Sequence, residues 1–512
     1  MSTRWGRLGA DRWGLAIGVV ALAVALLHVA HLGGSPPGLY QDEATNGYQA
    51  WALAHYGRDE HGHLLPLYLE TFGDWKSPLY VYLLAPFTYV LPLTAATIRL
   101  PAALCALVAC SAVTAAAHWR TRSAVITILT LAGAGTMPWL LVAGRTALES
   151  VTLPACLAVA LACLARVEAG GGGRWYAGAG AALGLTALTY PSGLVLAGPL
   201  TLVVLATHAR RDGRAVLAVL AVPAAVYVLV GAWMVRHPGA LANRPGAISI
   251  ARDHPGVLVV AGRFAVNYLE HLGPVFLLVR GDANPRQATE FGGLVLLAMA
   301  PAVVAGLVVA VRRRRPLDLT LLATLVLAPV PSAVTDEGIP HALRAVAMVP
   351  PLLLLAATGW EVVLPWLAAH RRAAVALAGL AALQVALVVA DLELTWPGRA
   401  EGSFDAGYDT AVTDAARLAG GHAILLSSTM GVLYAHALVD LQPPPGANLG
   451  ATLAHSDVRT VDPAHAGAVT GDILVLGSND PAPPHATLIE EVRVPTAYWG
   501  SPVVAARLYR GG

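Results

Sequence analysis

Gly38-Leu39-Tyr40-Gln41-Asp42-Glu43-Ala44 follows directly on the first apolar run of the chain, and its reading decides the rest. Two adjacent carboxylates at a membrane edge are expensive to hold near lipid, so chemistry accounts for them better than packing does. The run ahead of them, residues 13–31, is long enough for a span, since crossing takes about 17–25 apolar residues. Arg4, Arg7 and Arg12 precede it. The arrangement looks like a signal peptide, but no small-x-small cleavage site precedes a mature domain, so it reads as a retained first helix.

Working outward, further apolar runs lie near 99–118, 123–143, 148–166, 175–190, 193–208, 214–235, 292–311, 317–334, 343–364 and 373–391. The chain is 56% hydrophobic and only 12% charged, with a mean hydropathy of +0.62. A soluble domain carries about 25% charged residues, so this is a polytopic membrane protein. Its net charge is +2, and no Lys/Arg stripe interleaved with aromatics suggests nucleic acid. Cys105, Cys110, Cys156 and Cys163 all lie in apolar runs, which supports neither a disulfide framework nor a cysteine zinc site.

Lys and Arg concentrate on cytoplasmic loops. Arg4/Arg7/Arg12, Arg120/Arg122, Arg166/Arg174, Arg210/Arg211/Arg214, Arg312 to Arg315 and Arg371/Arg372 occur at every second connection. That bias makes Asp42-Glu43, Arg145 to Glu149, 236–291, 335–342 and the C-terminal segment external. Residues 78–98 disturb the parity. Pro86 and Pro92 break that stretch, so it reads as a short hairpin or a surface-lying helix pair. Tyr190-Pro191-Ser192-Gly193 reads as a turn between two short helices. The expected fold is an all-α polytopic membrane protein of about 11–13 hydrophobic helices. Residues 1–398 form its membrane domain, with external loops at 32–98 and 236–291. From 399 to 512 the chain is more polar and reads as a small external α/β domain. Its helix-like stretches are 408–419 and 430–440; its strand-like stretches are 422–428, 472–477 and 503–509.

Asp42 opens a helix-like stretch in which Ala44, Tyr48 and Trp51 share a face. An acidic N-terminal cap explains one carboxylate, but not two at this position. The other reading of Asp42 is a general base that takes a proton from an acceptor, with Glu43 beside it. Arg58 and Lys76 are the nearest cations. Lys76, in Gly73-Asp74-Trp75-Lys76-Ser77-Pro78, stands just before an apolar element, where an ammonium meets either a lipid-linked phosphate or headgroups. His61 and His63, in Asp59-Glu60-His61-Gly62-His63, read as solvated loop histidines rather than a metal clip. Arg99 is either a headgroup anchor or a partner for Asp42/Glu43. Arg145 and Glu149 are four apart and would pair on a continuous helix; alternatively Glu149 is a second acid. Arg344, near His341 in the loop from Thr335, offers two N–H donors to a phosphate, or pairs with Asp336 or Glu337. Asn267 to His271 and Arg280 to Asn284 read as lid, acceptor contact or plain surface.

With these residues assembled, the chain resembles the polyprenyl-phosphate-dependent GT-C glycosyltransferases, in particular protein O-mannosyltransferases and lipid A aminoarabinose transferases. The resemblance covers the first two hundred residues or so. It rests on Asp42-Glu43 after the first helix, Gly73 to Pro78 ahead of an aromatic-rich segment, Arg99, and Arg145 to Glu149. It implies an external active site and an isoprenoid-phosphate sugar donor. It also implies a first-loop acid, here Asp42, as base, with Glu43 and Glu149 as the other acids. Lys76, Arg344, His341 and Arg99 are the implied phosphate ligands, supported by Arg145, Arg58 and Tyr40. The motif reads Lys76-Ser77-Pro78 where many relatives have Lys-Pro. No cofactor and no obligatory metal are implied, although Asp42, Glu43 and His61 could hold a divalent ion. The implied partners are a polyprenyl-phosphate sugar, membrane lipid and a protein, lipid or glycan acceptor, in a bacterial plasma membrane with the N-terminus cytoplasmic. The rival readings are a transporter or lipid-carrier flippase, which would put ionisable residues at helix midpoints, and a non-catalytic envelope scaffold.

Overall fold

The computed structural model of the protein describes residues 2–209, 213–465, 470–495 and 501–511. Arg210 and Arg211 of the expected cytoplasmic clusters lie outside the described residues, as do the side chains of Arg4 and Arg7. The chain divides into two compact units. One comprises residues 1–30, 102–145 and 149–391; the other comprises 31–101, 146–148 and 392–512.

The first unit holds most of the membrane-spanning helices. Among the described residues of the chain, eight helices are long and apolar enough to cross a membrane, or nine if a bent pair counts as one span. That pair, Ala124–Gly135 and Pro138–Gly144, bends by 54° at a break just ahead of Pro138, a residue that cannot donate to the preceding turn. Two of the expected runs fold shorter than read. Residues 175–190 give a helix over Arg174–Thr186, and 292–311 give Ala300–Arg313 after a loop and a turn of 3-10 helix at Leu297–Met299. The turn expected at Tyr190 to Gly193 is where Pro191 opens the next helix, Pro191–Val204.

Small residues set the helix spacing here. A side chain built on Gly306 would come 1.8 Å from the Leu355 carbonyl oxygen, and one built on Gly359 would come 1.7 Å from that of Ala302. Helices Ala300–Arg313 and Val349–Ala369 therefore touch backbone to backbone, the close approach that small residues allow between helices in lipid.

The second unit begins after the first helix, α1 (Ser2–Val29), with α2 (Gln41–Tyr56). A hairpin follows, β1 (Leu69–Thr71) and β2 (Asp74–Lys76), in which Leu69 faces Lys76. Its turn residues Phe72 and Gly73 have φ of 52° and 73°. Positive φ at both central positions suits the twist of a two-residue hairpin. α3 (Leu79–Val90) is next, then α4 (Ala95–Thr121). The stretch 78–98 is therefore one short helix and the start of a span, not a helix pair. At about 1.5 Å per residue, twelve residues are too few to cross about 30 Å of hydrocarbon. Pro92 follows the end of α3, and Thr94 Oγ1 accepts from the Thr97 N–H to start α4.

The C-terminal part of this unit carries a five-stranded sheet of β3 (Ile424–Ser427), β4 (Val458–Val461), β5 (Ile473–Gly477), β6 (Ala486–Val494) and β7 (Val503–Gly511). The spatial order is β4-β3-β5-β7-β6; β4, β3 and β5 run parallel, while β7 is antiparallel to both β5 and β6. Helices Tyr408–Ala419 and Leu433–Leu441 match the expected ones. The edge strands β4 and β6, and the helix Leu449–Ala454, were not expected. Arg459, Glu490, Glu491 and Arg493 interrupt the apolar alternation, as charged residues on edges do.

Gly306→Val drives two methyl groups into the facing helix. Overpacking of this kind costs about 3 kcal/mol. Thermal unfolding of the detergent-solubilised protein should show a clearly lowered midpoint, with Gly246→Val, which meets open space, as the control.

Candidate active site

α2 starts on a dense polar frame. The Tyr40 N–H donates to Glu43 Oε2 at 3.0 Å, and the Gln41 N–H to Asp405 Oδ2 at 2.9 Å. An acid in the first turn also suits the positive end of the helix dipole. Glu43 and Arg99 are both fully buried. Arg99 Nε donates to Glu43 Oε1 at 2.8 Å and Nη2 to Oε2 at 2.9 Å. Its other donors go to the carbonyls of Leu32, Pro36 and Gly38 at 2.9, 2.8 and 2.5 Å. Glu43 Oε1 also accepts the Ala147 N–H at 2.8 Å. Every guanidinium donor is used.

That geometry corrects two expectations. Glu43 and Arg99 present no polar atom to a substrate, because each is fully engaged with the other and with backbone. Of the two readings of Arg99, the partner to Glu43 holds. Tyr40 is the N-cap residue, and its hydroxyl accepts from Gln41 Nε2 at 3.2 Å.

Asp42 faces elsewhere. Its Oδ1 lies 2.9 Å from Lys76 Nζ, with side chains 30% and 14% exposed respectively, so the pair is open to solvent where Glu43–Arg99 is not. Lys76 also donates to Thr45 Oγ1 at 2.8 Å, one turn along α2, and stands 5.6 Å from the Phe72 ring centre. The hairpin turn thus places the ammonium, and the helix start places the carboxylate.

The loop after α2 is organised by Asp59, which is buried. It accepts the N–H groups of His61 and His63 at 3.0 and 2.8 Å, and its Oδ2 lies 2.9 Å from His63 Nδ1. Arg58 donates to the Gly62 carbonyl at 2.6 Å, closing its own loop rather than reaching Asp42. Glu60, wholly buried, is the group missed in the sequence. Its burial pushes the carboxyl up to about 8, against the smaller opposing pulls of Thr71 and Lys76. The signal was present in the acidic pair Asp59-Glu60, but the flanking histidines drew the reading. Among the described residues, no three His, Cys, Asp or Glu side chains converge as a metal site.

The remaining expected residues belong to the first unit. Arg145 is the C-cap of Pro138–Gly144, and Glu149 opens a 3-10 turn, so they are not on a continuous helix. Arg145 donates to the Leu27 carbonyl at 3.2 Å. Arg344 takes the alternative read for it: Nη2 pairs with Glu337 at 2.8 Å, and Nη1 donates to Thr335 Oγ1 and the Glu337 carbonyl. His341 caps the helix that begins at Ala342, its N–H donating to His271 Nε2 at 3.0 Å. Burial, with Arg344 and His271 nearby, pushes its imidazole down to about 3. His341 is therefore neutral at physiological pH.

No family model matches the chain, and no curated protein matches it. In fold it is similar to ArnT from Cupriavidus metallidurans bound to undecaprenyl phosphate, with a TM-score of 0.62 at 16% identity over 98% of each chain. The apo form of that protein gives 0.59 at 17% identity, over 92% of this chain and 94% of the other. The apo oligosaccharyltransferase of Archaeoglobus fulgidus gives 0.51 at 13% identity, over 89% of this chain and 65% of that one. The protein is a multi-pass membrane protein with the GT-C fold.

Glu43→Gln or Arg99→Met leaves a buried charge without its partner, which costs about 3–5 kcal/mol. Asp42→Asn breaks only a part-exposed pair and should cost under about 1 kcal/mol. Unfolding of the three variants in detergent should separate them on that scale.

Proposed function

We propose that the protein is a membrane glycosyltransferase that moves a sugar from a polyprenyl-phosphate donor to an acceptor, with Asp42 as general base and Lys76 as phosphate ligand. The observation that supports this most directly is the part-exposed Asp42–Lys76 pair, 2.9 Å apart, on the fold of a protein solved with undecaprenyl phosphate.

An anionic donor group and Asp42 both need the same ammonium. Donor binding exchanges one anion for the other at Lys76 and leaves the Asp42 carboxylate to receive a proton. The acceptor hydroxyl or amine gives that proton to Asp42 and forms a bond to the anomeric carbon. The bond from that carbon to the phosphate oxygen breaks, and the electron pair leaves with the polyprenyl phosphate. Attack opposite the leaving group inverts the anomeric centre. Lys76 holds the charge that builds on the phosphate, an electrostatic stabilisation that grows toward the transition state. Glu43 and Arg99 fix the helix start that carries Asp42. The basic clusters at Arg120/Arg122, Arg312 to Arg315 and Arg371/Arg372 support a cytoplasmic assignment for those helix ends, with Asp42 on the external face of the plasma membrane.

Asp42→Asn should lower sugar transfer from a polyprenyl-phosphate donor in membranes by about 10²–10⁴-fold, the usual contribution of a general base. Wild-type rates in a correctly inserted variant would remove Asp42 from the role. Lys76→Ala should chiefly raise the donor KM; an unchanged KM would exclude the phosphate contact.

A further inference from the structure

Phe72 stands where the turn of the β1–β2 hairpin would more readily hold another residue. Its φ of 52° lies in the left-handed region, which a bulky side chain seldom occupies and which asparagine or glycine fills freely in such a turn. The residue is also 37% exposed, so much of its apolar surface is not used in packing. Neither backbone preference nor burial selects phenylalanine here. A side chain kept against both points to use of its flat apolar face.

The surroundings supply that use. Lys76 Nζ stands 5.6 Å from the centre of the Phe72 ring. Tyr434, of the helix Leu433–Leu441, packs on the same ring at 5.5 Å between centres, with the planes at 59°. Trp75, the other aromatic of the hairpin, stacks on His63 at 6.1 Å, and as the strand neighbour of Lys76 it faces the other way. Phe72 is thus the hairpin ring within reach of the ammonium, and the C-terminal part of the unit braces it.

We propose that Phe72, braced by Tyr434, is the platform for the sugar of the lipid-linked donor, and so a specificity-determining residue. The inference rests on the reading of Lys76 as the phosphate ligand. A phosphate oxygen held by an ammonium lies about 2.8 Å from the nitrogen. The anomeric carbon follows through the phosphorus and the bridging oxygen. A sugar on that phosphate is therefore as far from Nζ as the phenyl ring is, and the two rings are neighbours. The C–H groups on one face of a sugar form an apolar surface that packs on an aromatic ring, while its hydroxyls stay with water or polar groups. Undecaprenyl phosphate left after transfer has no such surface. The platform holds the loaded donor more tightly than the spent carrier, which favours release of the carrier.

The experiment measures binding of the detergent-solubilised full chain to undecaprenyl phosphate and to the same lipid carrying mannose, glucose or arabinose. At least one sugar-bearing lipid should bind wild type about tenfold more tightly than undecaprenyl phosphate, the scale of one aromatic contact. Phe72→Asn should bring that lipid to within about twofold of the bare carrier, whose own affinity is unchanged. Phe72→Tyr, which keeps the ring, should bind as wild type does. Asparagine suits the left-handed turn, so Phe72→Asn should unfold no earlier than wild type. Equal losses for bare and sugar-bearing lipid, as a merely structural Phe72 would give, would overturn the proposal and leave the lipid-phosphate reading standing. So would a wild type that binds every sugar-bearing lipid no better than the bare one. Absence of undecaprenyl phosphate binding in wild type would overturn that reading and this one with it. Should Phe72→Asn fail to fold, Phe72→Leu, which keeps an apolar side chain without a flat face, carries the same test.

Discussion

The buried ion pair between Glu43 and Arg99 is the constraint on which the second unit is built. Two charges with no solvent exposure carry a desolvation penalty of several kcal/mol each, which attraction offsets only if the geometry is complete. Here it is complete. The guanidinium binds both carboxylate oxygens and three carbonyls, and the carboxylate also accepts two backbone N–H groups. Those carbonyls belong to Leu32, Pro36 and Gly38, the chain leaving the first helix, and one N–H belongs to Ala147. A single side-chain pair thereby ties three separated segments to the first turn of α2.

The consequence for chemistry is a division of labour between neighbours. Consecutive helical residues point about 100° apart, so when Glu43 is locked inward Asp42 is turned to another side. Thr45, three residues on, shares that side and meets the same ammonium. One carboxylate is a rigid anchor and the next a part-exposed partner of Lys76, because the first cannot move. Lys76 owes its place to a second local device. A hairpin of three-residue strands turns at Phe72-Gly73 and returns the chain to α2.

Much of this was legible in the sequence, for physical reasons. Long apolar runs announce spans because lipid tolerates little else, and Asp42 stood out because charge at a membrane edge needs a cause. The helices at 408–419 and near 433–441 followed from period alone. What failed was partner choice across distance. Arg99 and Glu43 are 56 residues apart, and nothing local distinguishes an arginine that binds a phosphate from one that binds a buried carboxylate. Arg344 met the same ambiguity and resolved toward Glu337. Strands of three or four residues with charged members, such as Asp74–Lys76 and Val458–Val461, carry too little alternation to read. Glu60 did not stand out in the sequence because burial, not identity, makes an acid unusual.

The central claim is that a lipid-linked phosphate binds where Lys76 meets Asp42. The most direct test is photocrosslinking of the solubilised protein with an undecaprenyl phosphate analogue bearing a diazirine beside the phosphate, followed by peptide mapping. The account predicts adducts on the segment from Phe72 to Tyr80, suppressed by unlabelled undecaprenyl phosphate. Efficient, competable labelling confined to other segments would contradict it.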